Sequence, residues 1–199
     1  PVFITGGLPG EVLEFTYTDS RRDYAEGQAV TIHEPSPQRA EPACPAYGIC
    51  GGCSFQHVRD EAQILIKQQL LETQLERTGK VRPEAWLAPL NGPHWGYRHK
   101  ARLGVKFVAK KEKVLVGFRE RSTPFITDID VCPVLHPSVG LHLRTLGEAI
   151  ATLSIKDRVP QIEVAVGDHR VALIFRVLAD PTPEDLDVLR KLSSTLSVD

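Results

Sequence analysis

All four cysteines of this chain belong to one spacing pattern, which constrains the fold more than any other feature of the sequence. Cys44, Cys50 and Cys53 lie within ten residues, and Cys132 follows after 78 intervening residues. Three glycines in the first segment free its backbone to curl, so the three nearby thiols can converge on one centre. A distant fourth thiol completes a tetrahedral thiolate site, which suits an iron–sulfur cluster or zinc.

The residues alone leave more than one ligation scheme open. A five-residue gap between the first two cysteines is longer than is usual in zinc ribbons or ferredoxins, whereas proline after the distant cysteine also occurs in ferredoxin-type ligation. The spacing therefore favours iron–sulfur without excluding zinc. A zinc site could use the three nearby cysteines with His57 and leave Cys132 as a buried thiol, although His57 is expected to be a surface or core histidine. Two disulfides would need an oxidising compartment, which nothing in the sequence indicates.

One segment carries most of the positive charge. The formal net charge is −1, but residues 98–121 hold nine Lys or Arg against two acids. This segment is therefore +7 and the remaining 175 residues are −8. Arg98, Lys100 and Arg102 alternate along a predicted strand, which would place them on one face as a stripe. A basic surface on an otherwise acidic molecule predicts an anionic partner.

The hydrophobic pattern predicts an α+β architecture in one large or two small domains. Alternating residues predict strands at 11–18 and 28–33, and the proline-rich stretch 34–42 predicts a domain boundary near residue 42. Asp60 and Gly79 are expected to cap the helix that follows. Beyond the boundary we predict helices at 60–78, 141–155 and 183–196, and strands at 97–108, 114–118, 162–166 and 171–178. No apolar run is long enough to cross a membrane, and no secretory signal is visible.

Six motifs follow one another along the chain. They are Pro1-Val-Phe-Ile-Thr-Gly-Gly-Leu-Pro-Gly-Glu, Tyr24-Ala-Glu-Gly, Cys44-x5-Cys50-Gly-Gly-Cys53 with Gln56-His57, Tyr97-Arg98-His-Lys-Ala-Arg-Leu, Gly117-Phe-Arg-Glu and Ile129-Asp-Val-Cys132-Pro-Val-Leu. In order and separation, this set resembles the iron–sulfur-containing 5-methyluridine methyltransferases of 23S ribosomal RNA, which have an N-terminal TRAM domain.

The resemblance implies a cofactor, a partner and a domain layout. The four cysteines would hold a [4Fe-4S] cluster, and the partner would be 23S ribosomal RNA. Residues 1–42 would form part of a small, OB-like TRAM β-barrel that lacks its first strand. Residues 43–199 would form an α/β central domain with antiparallel strands and the cluster loop, and both domains would grip RNA. We expect a cytoplasmic protein with no membrane association and no obligate protein partner.

Family members continue through a Rossmann-like domain that binds S-adenosylmethionine, and the chain does not contain it. In this family a free cysteine thiolate adds to C6 of uracil, because C5 is a poor nucleophile. All four cysteines here are assigned to the cluster, so the chain is expected to contain no catalytic residue and to be inactive alone. We expect the RNA-recognition portion of an S-adenosylmethionine-dependent 23S rRNA (uracil-5-)-methyltransferase, with a structural cluster because methyl transfer to uracil needs no redox step. The alternative is a stand-alone zinc- or iron–sulfur-binding module for nucleic acid.

The candidate RNA contacts are basic side chains for phosphates and aromatic rings for base stacking. The phosphate candidates are Arg98, Lys100, Arg102, Lys106, Arg119 and Arg121. The stacking candidates are Phe55 and Tyr97. Phe107 is a third possible stacking residue, for which core packing is favoured. Trp86 and Trp95 are assigned to packing.

Overall fold

The computed structural model describes residues 1–199, which divide into two compact units. The first unit consists of residues 1–43 and 55–89, and the second of residues 44–54 and 90–199. All four cysteines therefore belong to the second unit, although 35 residues of the first unit separate Cys53 from the rest of it. The RNA-binding roles given to residues 1–42 and 43–199 stay predictions.

The first unit contains a three-stranded sheet. Its strands are β1 (Val2–Thr5), β2 (Val12–Ser20) and β3 (Ala25–Glu34), in the order β1-β3-β2. The central strand β3 pairs in parallel with β1 and antiparallel with β2, where three register shifts bend the ladder. A closed barrel has no free edge, whereas β1 and β2 each pair on one side only. The sheet is therefore open, and the predicted barrel is not formed by these residues.

The helix of the first unit, α1 (Asp60–Arg77), lies where the sequence predicts it. Its N-cap is Arg59, which makes no side-chain cap, so the prediction that Asp60 caps the helix is wrong. Asp60 instead lies in the first turn, where its carboxylate accepts a hydrogen bond from the Gln63 side chain at 3.3 Å. A carboxylate in this turn still stabilises the helix through the macrodipole.

The second unit contains a four-stranded antiparallel sheet. Its strands are β4 (Lys100–Val108), β5 (Lys113–Gly117), β6 (Gln161–Val166) and β7 (Val171–Arg176), in the order β5-β4-β6-β7. A 3₁₀ turn at Ala109–Lys111 joins β4 to β5. The helices are α2 (Pro137–Gly140), α3 (Leu143–Ala151) and α4 (Pro183–Leu196). The α+β prediction is confirmed, although the helix predicted at 141–155 is shorter and follows a separate turn of helix.

Helices cover one face of this sheet and form the core with it. Leu103, Ile162 and Val164 point to this face and are almost fully buried, together with Leu146 and Ile150 of α3. Helix α3 approaches β5 closely: a Cβ on Gly147 would lie 2.6 Å from the Val114 carbonyl oxygen. Because Leu103 of β4 faces the helices and side chains alternate along a strand, the polar side chains of β4 lie on the opposite face of the sheet. None of the helices in either unit is both long and apolar enough to span a bilayer.

Candidate functional site

The segment 44–54 forms a tight loop that pairs with residues 119–121. The loop curls through hydrogen bonds from the Tyr47 amide to the Cys44 carbonyl (2.9 Å) and from the Cys50 amide to the Ala46 carbonyl (2.8 Å). Gly48 adopts a φ of +90°, which glycine tolerates without strain. Cys50 and Glu120 form an antiparallel bridge, in which the Gly51 amide donates to the Arg119 carbonyl and the Arg121 amide to the Ile49 carbonyl, both at 2.8 Å. We call residues 44–54 the cysteine loop.

Cys132 lies close enough to the cysteine loop for two of the loop sulfurs to act on its thiol. Its side chain is buried, and its amide donates to the Gly140 carbonyl at 2.7 Å, which fixes it at the start of the turn before α2. Burial raises the pKa of the Cys132 thiol, and the nearby Cys53 and Cys50 sulfurs raise it further. The fold thus brings Cys132, which 78 residues separate from Cys53 in sequence, within electrostatic range of two loop cysteines.

The potential metal ligands of the cysteine loop and its surroundings are the four cysteine thiols. All four cysteines are free, so the two-disulfide scheme is not formed. No group of three or more His, Cys, Asp or Glu side chains lies close enough together to hold a single metal ion. His57, the fourth ligand of the zinc scheme, is buried in the first unit, with its ring 6.2 Å from that of Phe55. Buried and half-buried thiols are soft ligands of the kind that an iron–sulfur cluster takes. The Gly52 amide donates to the Cys50 sulfur at 3.4 Å, which is a hydrogen bond that would orient this thiolate toward a cluster.

Two of the six basic candidates for RNA binding contact the cysteine loop. The Arg98 guanidinium donates to the Gly52 carbonyl at 3.2 Å and stacks over the Phe118 ring at 5.2 Å. The Arg121 guanidinium donates to the Cys53 carbonyl and lies 5.7 Å from the centre of the Tyr47 ring. Both arginines are partly buried, and both guanidinium groups already make a hydrogen bond and a ring contact within the protein.

The other candidates are exposed. Lys100, Arg102 and Lys106 alternate along β4 on the face away from the helices. The predicted stripe of Arg98, Lys100 and Arg102 is thus formed in part, because Arg98 precedes the strand and contacts the cysteine loop. Arg119 is exposed beyond the end of β5. The loop after β5 covers part of this face, because Ile126 packs against Gly104. The remainder, along β4, β6 and β7, is open, and we call it the open sheet face.

Sequence reasoning missed one basic residue on the open sheet face. Arg176 at the end of β7 lies 3.5 Å from the Glu163 carboxylate, and Arg102 approaches the same carboxylate at 3.9 Å. Register explains the grouping, because Arg102 is opposite Glu163 and Arg176 is opposite Gln161 on the same face. The alternation of residues 171–176 places Arg176 on the outward face of a predicted strand. The sequence does not show which strand pairs with it, so the proximity of Arg176 to Glu163 could not be predicted.

The basic segment also contains lysines whose charge is offset by neighbours. Asp128 accepts hydrogen bonds from Lys113 at 2.6 Å and from Lys111 at 3.0 Å, and these ammonium groups lower the pKa of its carboxyl. Arg144 pairs in turn with Asp130, which lies 3.7 Å from Lys113. Nearby carboxylates therefore offset part of the +7 net charge of residues 98–121 in the folded protein.

The aromatic candidates occupy different environments. Tyr97 is exposed, whereas Phe55 is half-buried in the first unit. Phe107 packs against the core, as expected, with the Lys156 ammonium 4.9 Å from its ring centre. Trp86 and Trp95 are 42% and 40% exposed, so their assignment to packing is wrong.

Comparison with known proteins gives close relatives. No profile of a known protein family matches the chain. A 23S rRNA (uracil(1939)-C(5))-methyltransferase RlmD of Methylococcus capsulatus is 50% identical over 198 residues, covering 100% of this chain and 45% of the relative. Proteins of the same name from Alkalilimnicola ehrlichii and Nitrosococcus oceani are 53% and 51% identical over 188 and 189 residues, covering 94% of this chain and 42% of each relative.

The chain thus spans less than half the length of the curated relatives that it matches. The match nonetheless includes the cysteine loop, Cys132 and the open sheet face, because it extends over essentially every residue of the chain. Over essentially its whole length, the chain is therefore similar to a part of proteins that are named 23S rRNA (uracil-C5)-methyltransferases.

Proposed function

We propose that this chain is the RNA-recognition and [4Fe-4S]-binding portion of an S-adenosylmethionine-dependent 23S rRNA uridine-C5 methyltransferase. The observation that carries the proposal is the identity of half of its residues, over its full length, to relatives that bear this name. The open sheet of the first unit would be the TRAM-like part, and the second unit the central domain. The whole enzyme would take 23S ribosomal RNA as substrate and S-adenosylmethionine as methyl donor.

In this proposal the four cysteines hold the cluster and the open sheet face holds RNA. Cys44, Cys50, Cys53 and Cys132 would supply four thiolates, and the bound cluster would supply a covalent crosslink between the cysteine loop and the turn before α2. Lys100, Arg102, Lys106 and Arg176 would bind phosphates, because their charged ends are exposed on one face. Exposed Tyr97 at the start of this region is the stacking candidate.

The proposal assigns no catalytic residue to this chain. A thiolate that is bound to iron cannot add to C6 of uracil, and the chain contains no fifth cysteine. We therefore expect the chain to bind RNA without methylating it when S-adenosylmethionine is supplied. Incorporation of a labelled methyl group into RNA would contradict this assignment.

The experiment that tests the cluster is anaerobic purification followed by visible absorbance and metal analysis. We expect a brown protein with about four irons per chain, and loss of colour and iron in Cys132→Ser. Val131→Ala is the matched control, because it alters an exposed neighbour of Cys132 and removes no thiol. A colourless protein that holds one zinc ion, and that keeps this zinc in the Cys132→Ser variant, would contradict the proposed cluster.

A further inference from the structure

We infer that Arg98 and Arg121 are positioning residues that fix Cys53 in its ligating orientation, and that they do not bind RNA phosphates. The inference rests on the proposed function, because it deepens the role of the cysteine loop as a cluster site. It changes the assignment of two of the six basic residues that the sequence offers as RNA contacts. It also gives the cysteine loop a source of order that does not depend on the cluster.

The two arginines hold the two peptide groups on either side of the Cys53 Cα atom. Arg98 donates to the Gly52 carbonyl, which belongs to the peptide group before Cys53. Arg121 donates to the Cys53 carbonyl, which belongs to the peptide group after it. Because each peptide group is planar, fixing both planes fixes φ and ψ of Cys53 and hence the direction of its Cα–Cβ bond. The Cys53 sulfur is thereby directed by two contacts that do not touch it.

Each guanidinium is itself held by an aromatic ring. Arg98 stacks over Phe118, and the same ring packs against Gly52, where a Cβ would lie 3.1 Å from it. Arg121 lies over Tyr47, whose hydroxyl donates to the Ser54 carbonyl at 2.8 Å. Each arginine thus contacts the cysteine loop directly through a hydrogen bond and also contacts an aromatic ring that packs against the loop or hydrogen-bonds within it. A planar guanidinium can lay its face on a ring while its edge donates hydrogen bonds, whereas the compact ammonium of lysine has no planar face to stack.

Charge supports the same assignment. Ligating cysteines carry negative charge as thiolates, and two guanidinium groups next to Cys53 offset part of it. A guanidinium with a hydrogen bond and a ring contact would have to give up both to reach a phosphate. Arg119 lies between Arg98 and Arg121 in sequence and is exposed, and it contacts the cysteine loop through its backbone carbonyl, which accepts from the Gly51 amide at 2.8 Å. It therefore provides a control with the same charge in the same segment.

The test compares Arg98→Gln, Arg121→Gln and Arg98→Lys with Arg119→Gln in the full chain. Two properties of each protein are measured: hydrogen exchange of the loop amides in the metal-free protein, and iron release to a chelator from the anaerobically reconstituted protein. We expect loop amides such as Gly51 and Gly52 to exchange at least about tenfold faster in both Gln variants than in the wild type. We expect iron release to be about tenfold or more faster, with an altered visible circular dichroism spectrum. Arg119→Gln should match the wild type in both measurements.

The outcomes separate this inference from the proposed function. Wild-type exchange and iron release in both Gln variants, combined with weaker RNA binding, would overturn the inference and return the two arginines to the RNA surface. Complete rescue of both measurements by Arg98→Lys would also overturn it, because charge alone would then explain the effect. If the wild type takes up no iron, the cluster proposal fails, and hydrogen exchange of the metal-free loop still decides whether the arginines order Cys53.

Discussion

At the scale of single residues, the Glu11 carboxylate is a buried charge that accepts four hydrogen bonds. Its side chain is fully buried and accepts hydrogen bonds from the amides of Leu8 (2.8 Å) and Ser36 (3.0 Å). The Arg39 guanidinium donates to both oxygens at 2.5 and 2.6 Å, and it also donates to the Gly6 carbonyl at 2.7 Å. One carboxylate thus ties the turn between β1 and β2 to the segment that follows β3.

This contact makes the stability of the first unit depend on pH. The Arg39 hydrogen bonds lower the pKa of Glu11 to about 2 from its ordinary 4.5. A carboxyl whose pKa is lower in the folded state stabilises the fold above the unfolded pKa, and this contribution is lost as pH falls from about 4.5 to 2. The size of the shift corresponds to about 3 kcal/mol. We expect Glu11→Gln to lower the free energy of unfolding at pH 7 by a similar amount.

Urea unfolding at pH 7 and at pH 2.5, followed by far-ultraviolet circular dichroism, checks the effect of Glu11. The difference between wild type and Glu11→Gln should shrink to a small fraction of its value at pH 7. The reason is that pH 2.5 lies well below the unfolded-state pKa of 4.5 and only slightly above the folded-state pKa of about 2. Glu14→Gln is the control, since the exposed Glu14 pairs with His33 at the surface. An equal loss of stability in Glu11→Gln at both pH values would contradict the electrostatic origin of the effect.

The four cysteines of the proposed cluster could be singled out from the sequence, whereas the contacts of individual arginines could not. Spacing alone singles out Cys44, Cys50, Cys53 and Cys132 because these are the only thiols in the chain. Arg98 and Arg102 lie four residues apart with the same residue type, yet one contacts the cysteine loop and the other the open sheet face. The tertiary contacts of Arg98 with Gly52 and Phe118 distinguish the two arginines, and local sequence does not contain them.

At the scale of elements, the packing of α3 on β5 depends on a glycine. A methyl group on Gly147 would lie 2.6 Å from the backbone oxygen of Val114, which has no rotamer with which to move aside. Gly147→Ala would gain about 1 kcal/mol of intrinsic helix propensity. Displacement of α3 from β5 costs more than this gain, so we expect a net loss of about 1–2 kcal/mol in the free energy of unfolding.

Chemical denaturation of Gly147→Ala and of Glu148→Ala checks this expectation. Glu148 is exposed on the same helix, so its replacement should change stability by no more than about 0.5 kcal/mol. A more stable Gly147→Ala protein would mean that α3 can shift without loss of core contacts.

Elements with strong local signals were predicted well, and elements defined by distant pairing were not. Helix α4 occupies the predicted residues 183–196, because Thr182 and Asp185 form a capping box around the N-terminal proline. Strand β1 was not predicted, since its four residues show no alternation and its partner β3 begins about twenty residues later. Whether the strands of the first unit close into a barrel also depends on which strands pair, and the local sequence pattern does not show this pairing.

At the scale of the whole molecule, the distribution of charge in space differs from that in sequence. Nine bases lie between residues 98 and 121, but two of them face the cysteine loop and two pair with Asp128. The open sheet face retains Lys100, Arg102 and Lys106 and gains Arg176 from β7. Glu163 is the carboxylate that Arg102 and Arg176 share there. This face is therefore the basic surface that the proposed RNA-binding function requires.

Salt dependence of RNA affinity tests the open sheet face. The logarithm of the affinity for a single-stranded uridine-containing RNA should fall linearly with the logarithm of salt concentration, because bound phosphates release counterions. Arg102→Gln and Arg176→Gln should each lower the magnitude of that slope by about 0.7. Glu163→Gln should instead strengthen binding, because it removes the carboxylate that competes with phosphate for both arginines.

Fluorescence anisotropy titrations at several salt concentrations measure these slopes, with Arg144→Gln as the matched control. Arg144 is exposed, pairs with Asp130 and lies on α3, which covers the opposite face of the sheet. We expect its variant to keep the wild-type slope. If Arg144→Gln flattened the slope as much as Arg102→Gln does, binding would follow total charge, and the open sheet face would not be the RNA interface. Distinct slopes would show that the strand register, which brings Arg102 and Arg176 to one carboxylate, also builds the phosphate-binding surface.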